Sequence, residues 1–283
     1  MEHLESNRRT GSPELARPGL NLQPGARRLR LPRVGIWVPL LIALVALGSW
    51  ELGVRTDAID GLHFPAPLTI IRTIWRLGAH GALLDNIAVT VTRLGWGVLF
   101  GGGAGLLLGL LMGWSRAARI IIDPFVGAFH PLPKIAILPL VMVIFGVGDV
   151  SRVIVIAAGA FFPFLISTMS GVSQINPIHF AVARSYRAGR LKIFRRVVLP
   201  GAMPSILAGV RLGLNSALLL AIAVEMVSTG DGLGGMIWLS WTTLRTEEIY
   251  AVLVVTVGFG LAVNLVLAWA TRILVPWKQE LPT

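Results

Sequence analysis

Ala181 to Pro200 reads AVARSYRAGRLKIFRRVVLP, and it carries six Lys or Arg and no Asp or Glu between two long apolar stretches. An excess of Lys and Arg beside membrane spans marks a cytoplasmic loop. Tyr186, Leu191, Phe194 and Val198 recur at near-helical spacing, so an amphipathic helical element is expected over residues 176–197. A basic amphipathic helix of this kind suits a cytoplasmic partner's groove better than lipid.

The flanking sequence identifies the solvent. Apolar residues make up 54% of the chain and mean hydropathy is +0.75, so the bilayer is expected to surround most of it. Measured against the roughly 20 residues that cross the hydrocarbon, the apolar runs give six spans: 35–53, 88–113, 120–147, 152–172, 204–227 and 249–274. An even number puts both termini on one side. With the N-terminus in the cytoplasm, 17 of the 25 Lys and Arg lie inside, and the opposite orientation inverts that ratio. Membrane orientation thus accounts for the net charge of +11 better than nucleic acid does.

The polar segments are short. Residues 1–34 are rich in Arg, Pro and Gly and read as a disordered basic cytoplasmic tail, residues 35–277 as the transmembrane domain with the loop at 173–203, and residues 278–283 as a C-terminal tail. Arg8-Arg9 before an apolar run, with Ala46-Leu47-Gly48 beyond it, imitates an export signal; removing that span would leave five and separate the termini. Outside the membrane, a short amphipathic helix is expected from Pro67 to Leu77, followed by a turn at Gly78 to Gly81. The chain has no Cys, which excludes disulfides, thiolate metal sites and a Cys nucleophile.

The spacing from Ala181 to Leu199-Pro200 resembles the E-A-A-x3-G loop of ATP-binding-cassette importer permeases, with its L-P about a dozen residues on. Ala183 and Ala188 fall where that loop has small residues, while Ala181 replaces the usual Glu and Arg187 the usual Gly. HPLPKIAILPLVMVIFGVG (His130 to Gly148), FFP (Phe161 to Pro163), LPGAMPSILAGVRLGL (Leu199 to Leu214) and AVEM (Ala223 to Met226) extend the resemblance to the nitrate, sulfonate and taurine branch. The resemblance implies an all-α, six-helix permease in a bacterial inner membrane, with both termini cytoplasmic, and a transporter subunit rather than an enzyme. It implies an ATPase dimer that holds the ATP and Mg, an external solute-binding protein, a second copy of this chain as homodimer partner, and alternating access. The ATPase-coupling residues it marks are Ala181, Ala183, Arg184, Ser185, Arg187, Ala188, Gly189, Leu199 and Pro200.

Within the spans, Gly97, Gly101, Gly105, Gly109 and Gly113 recur every four residues and form a bare ridge for close helix packing. Gly209, Gly213, Ala217 and Ala221 repeat the device, and the next position on that row is Glu225. Pro131, Pro133 and Pro139 are expected to break the third span, and Pro163 to kink the fourth after Phe161-Phe162. Broken helices line cavities more readily than they face lipid, which makes Lys134, Pro139, Phe162, Pro163, Arg211 and Glu225 candidates for a translocation path. Arg211 and Glu225 lie too far apart along one helix to pair, so each needs a partner on another element. Arg93 and Arg211 are also expected to snorkel toward a membrane surface.

No G-x4-G-K-[ST] occurs, so any ATP-driven activity needs a partner chain. No Ser, His and Asp set or paired-carboxylate cluster suggests a membrane enzyme. A secondary transporter or channel is the main rival, and it lacks an acid-rich relay and two similar halves in this sequence.

Overall fold

The computed structural model describes residues 37–228 and 230–275. The two tails expected at 1–34 and 278–283 lie outside the described residues. Described residues form helices and turns with no strand among them: α1 (Trp37–Arg55), α2 (Pro67–Ala79), α3 (Ala82–Gly97), α4 (Gly103–Trp114), α5 (Arg116–Phe129), α6 (Leu138–Phe145), α7 (Asp149–Ser173), α8 (Pro177–Ser185), α9 (Arg190–Ile193), α10 (Leu199–Val227), α11 (Leu233–Thr242) and α12 (Thr246–Leu274). The chain divides into two units after Val45; the described part of the first is the opening half of α1, and the packing described below is that of the second.

A π turn, Val98–Gly102, joins α3 to α4, and another, Phe194–Val198, joins α9 to α10, so two of the spans are continuous helical runs. Five runs are long and apolar enough to cross a membrane: Trp37–Arg55, Ala82–Trp114, Asp149–Ser173, Arg190–Val227 and Thr246–Leu274. The third expected span, 120–147, is the bent pair that its prolines lead one to expect. α5 and the helical run Lys134–Phe145 that ends in α6 meet at 86° across residues 130–133, so they make one broken span or a re-entrant pair. Pro131 and Pro133 sit in that break, where neither can donate to a helix. Pro139 does not break anything: it occupies the first turn of α6, where a missing N–H costs nothing. The helical run through Pro163 is likewise unbroken from Asp149 to Ser173.

α7 is the central helix, enclosed by the two small-residue ridges. A Cβ at Gly101 would strike the Ala157 carbonyl, one at Gly105 the Phe161 carbonyl, and one at Gly109 would stand 2.6 Å from the Leu165 oxygen. Gly97 and Gly113 meet Ile156 and Val172 in the same way. Residues four apart drift by about 40° around an α-helix, so a five-glycine row would wind away from a straight neighbour. The extra residue of the π turn at Val98–Gly102 takes back part of this drift and keeps the row against α7. From the other side, Gly209 faces Ser167 and the Pro163 carbonyl, Gly213 faces Phe164, and Ala217 and Ala221 are fully buried.

The expected amphipathic helix outside the membrane is α2, two residues longer than anticipated. The Glu51 carboxylate accepts from the Leu68 N–H at 3.0 Å and so caps its first turn. Ile70 and Thr73 are buried, and Thr73 and Arg76 reach Glu247 and Glu248 at the start of α12, both at 3.4 Å.

Candidate functional site

The single helical element expected over residues 176–197 is two pieces. α8 is capped at its start by Asn176, whose side chain accepts from the Ile178 N–H at 3.0 Å. It stops at Tyr186, because Arg187 adopts the left-handed conformation at φ 50°. The Arg187 N–H then donates to the Arg184 carbonyl at 2.8 Å and the Ala188 N–H to the Ala183 carbonyl at 3.0 Å. This pair of bonds is the Schellman helix ending, which favours glycine at its left-handed position. Arg187 therefore stands at the one place in the loop where glycine is the natural choice. Its small neighbours also have a reason: Ala183 and Ala188 are the two residues joined across the turn.

The second piece, α9, starts after Gly189 and belongs to the fifth span, with Leu199 and Pro200 at the exit of its π turn. Between α8 and the π turn that leads into α10 lies a groove of about 420 Å³ lined by Ile175, His179, Val182, Ala183, Arg196 and Pro200. Ala181 and Arg184 are exposed on α8, and Ser185 ties back to the Ala181 carbonyl at 3.1 Å. Arg187→Val is expected to destabilise the turn, because a β-branched side chain tolerates the left-handed conformation less well than the arginine already there. Arg187→Gly is expected to be neutral or mildly stabilising. Hydrogen exchange of the Ala188 amide reads both.

At the other end of α7 and α10 is a buried ionic cluster. Arg93, 3% exposed, donates from Nη1 to Glu225 Oε1 at 3.1 Å and to the Asp231 carbonyl at 2.8 Å. Its Nη2 lies 2.7 Å from Asp149 Oδ1, which Arg152 Nη1 also reaches at 3.1 Å. The expected snorkelling of Arg93 is thus replaced by ion pairing, because its partners come from α7, α10 and the α10–α11 loop. Glu225 is fully buried. Besides Arg93 it accepts from Thr90 Oγ1 at 3.0 Å and from the Gly234 N–H at 3.0 Å. Thr90 in turn accepts from the Leu233 N–H at 2.9 Å, and Asn86 Oδ1 from the Gly232 N–H at 2.6 Å. The loop has to be glycine here. Gly232 has φ 100°, and a Cβ on it would collide with the Glu225 carboxylate. Gly234 backs onto the Ile222 carbonyl.

Asn86, Thr90, Asp149, Arg152 and this glycine loop were not singled out by sequence reasoning. Four glycines at positions 230, 232, 234 and 235, just after an acid on a small-residue row, were the available signal.

The remaining path candidates are scattered. Lys134, in the break between α5 and α6, donates to the His130 carbonyl at 2.8 Å and lies 5.1 Å from the centre of the buried Phe162 ring. Pro139 is exposed and Pro163 half-buried. Arg211 is on α10 beside Asn264 of α12, at 3.1 Å. The structure does not bring Lys134, Arg211 and Glu225 into one site: Glu225 belongs to the ionic cluster.

Residues 103–280 match the family described as binding-protein-dependent transport system inner membrane component. The chain belongs to that family. This permease is 29% identical over 263 residues to SsuC of Bacillus subtilis (strain 168), a permease protein named for aliphatic sulfonates transport, covering 93% of this chain and 95% of SsuC. It is 29% identical over 241 residues to the taurine transport system permease protein TauC of Escherichia coli (strain K12), covering 83% and 88%. A solved structure of the MetNI methionine ABC transporter, in an inward-facing conformation, superimposes with a TM-score of 0.53 at 20% identity over 68% of this chain and 94% of that one. The fold is therefore that of an ABC importer permease, a multi-pass membrane subunit whose family works with an ATPase and a solute-binding protein.

Proposed function

We propose that this chain is the permease of an ATP-driven importer for a small anionic solute, a sulfonate such as taurine or an oxyanion of similar charge such as nitrate. Both termini and the 173–203 loop lie in the cytoplasm of a bacterial inner membrane, and the ionic cluster around Glu225 lies at the outer end of the bundle. Two copies enclose the path, surrounded by lipid. Each offers α8 and the groove beneath it to one ATPase subunit, in which ATP and Mg are held; this chain binds no cofactor of its own.

The observation that carries this reading is the ending of α8. The left-handed residue falls at Arg187, the position at which the permease coupling loop has glycine, and the Ala183–Ala188 bond closes the turn. Six basic residues without an acid surround it, which supports the cytoplasmic placement. The second piece of the loop, α9, is joined to the fifth span through continuous helix, and α8 is tied to it by the closed turn at Arg187. A push on α8 therefore has only the short hydrogen-bonded turn at 186–189 to cross before it reaches the helix of α10, as alternating access requires of a two-state element.

Replacing Arg184 and Ala188 together with Glu tests it. The double variant is expected to insert into the membrane normally and to lose co-purification with its ATPase. Retention of the ATPase at the unaltered stoichiometry would contradict the docking assignment.

A further inference from the structure

Arg211 is an arginine at the wrong depth for an ordinary membrane helix. It is residue 13 of the 29 in α10. At 1.5 Å per residue it lies about 18 Å from Leu199 and about 24 Å from Val227, inside the apolar stretch 204–227. Its side chain is exposed on the face of α10 turned away from α7, with Ala208 and Leu212 beside it. A guanidinium held against hydrocarbon within a span is expensive, and such residues face protein or a water-filled path.

The surroundings of Arg211 orient it without neutralising it. Nε donates to Asn264 Oδ1 at 3.1 Å. Asn264 is itself fixed, donating to Asn215 Oδ1 at 3.0 Å and to the Gly260 carbonyl at 2.9 Å. The ion pairs among the described residues all lie elsewhere. The two terminal nitrogens of a charged fork are thus left for a further acceptor, while a side-chain amide sets the plane of the fork. Lys134 offers less: its ammonium already donates to the His130 carbonyl and sits over Phe162.

We propose that Arg211 is an oxyanion-recognition residue of the translocation path, oriented by Asn264 and Asn215, and that it takes two oxygens of a sulfonate group through its terminal nitrogens. A rigid planar fork matches two oxygens of one anionic group, whereas an ammonium meets them as a point charge. The assignment rests on the reading above that the solute is an anion.

The test uses the complete transporter, permease with ATPase and binding protein, in proteoliposomes with radiolabelled ethanesulfonate. Arg211→Lys keeps the charge and loses the fork; Asn264→Leu keeps the arginine and loses its orienting acceptor. Each is expected to lower ethanesulfonate taken up per ATP hydrolysed by about tenfold or more, the loss expected of a charge-assisted hydrogen bond. Both are expected to keep the detergent melting temperature of the parent, which a merely structural role would not allow. The chain has no native Cys, so Ala208→Cys, one turn from Arg211, is a clean probe. It is expected to react with a membrane-impermeant cationic thiosulfonate, and more slowly when ethanesulfonate is present. Parental uptake per ATP in both variants would overturn the role of Arg211 while leaving the anion reading intact. An Ala208→Cys thiol inert to the reagent would overturn it by putting this face against lipid or a second copy. If the unaltered transporter takes up neither ethanesulfonate, taurine nor nitrate on addition of ATP, the anion reading fails and the assignment falls with it.

Discussion

Arg93→Met is expected to cost the folded permease about 3–5 kcal/mol, because it strips the counter-charge from a carboxylate that cannot reach water. Glu225 is fully buried, and its other contacts, Thr90 and the Gly234 amide, are neutral donors. The same substitution releases the Asp231 carbonyl, so the glycine loop that closes over Glu225 loses one of its three ties to α3, keeping those from Asn86 and Thr90. Thermal unfolding in detergent measures the loss, and the double variant Arg93→Met with Glu225→Gln is expected to recover a large part of it. Gln still offers the Gly234 amide an oxygen and leaves no unpaired charge. Asp149→Asn is expected to be mild despite its two arginine neighbours, since the Asp149 side chain is 68% exposed and such pairs are worth only about 0–1 kcal/mol. A double variant no better than Arg93→Met alone would show that Arg93 acts by packing rather than by charge.

The second large effect is at the glycine ridge. Gly105→Leu is expected to prevent recovery of folded permease, because even a Cβ there would strike the Phe161 carbonyl. Backbone cannot yield as a flexible side chain can, so α4 would have to separate from α7 along the whole row, a cost beyond the usual 1–3 kcal/mol of about one overpacked side chain. Leu107→Ala on the same helix is expected to stay within about 0.5 kcal/mol of the parent, as Leu107 is 69% exposed. Monodispersity and melting temperature in detergent separate the two, and equal tolerance at both positions would contradict the packing described here.

What could be read without the fold was whatever is written in local periodicity. Five of the spans, α2 and both small-residue rows follow from spacing along one helix, and the need of Glu225 for a partner on another element follows from its depth. The break in the third span was legible from Pro131 and Pro133, but its 86° angle was not, because apolar content alone does not distinguish a broken crossing helix from a re-entrant pair. The coupling element was misjudged for a different reason. Apolar spacing continues through Tyr186, Leu191 and Phe194 although the backbone reverses hand at Arg187, and a left-handed residue leaves no trace in hydropathy. The departure from glycine at that position was visible, but its meaning depends on the two turn bonds. Arg93 and Glu225 are 132 residues apart and Asp149 is 56 residues from Arg93, so their cluster exists only once α3, α7 and α10 are brought together.

The π turns belong to the same class. A row of glycines every four residues announces a ridge, yet only the inserted residue at Val98–Gly102 explains how a straight partner can follow it. The result is a core of small residues with the ionic cluster at one end and the basic loop at the other, and one continuous helical run, Arg190–Val227, joins α9 to that core.

The most direct test of the account is uptake of radiolabelled ethanesulfonate into proteoliposomes holding the permease, its ATPase and its binding protein, measured with and without ATP and with ion gradients collapsed by ionophores. Uptake that requires ATP and both partner proteins, and that survives the ionophores, is the predicted result. Uptake by the permease alone that disappears when the gradients are collapsed would contradict it and make the chain a secondary transporter.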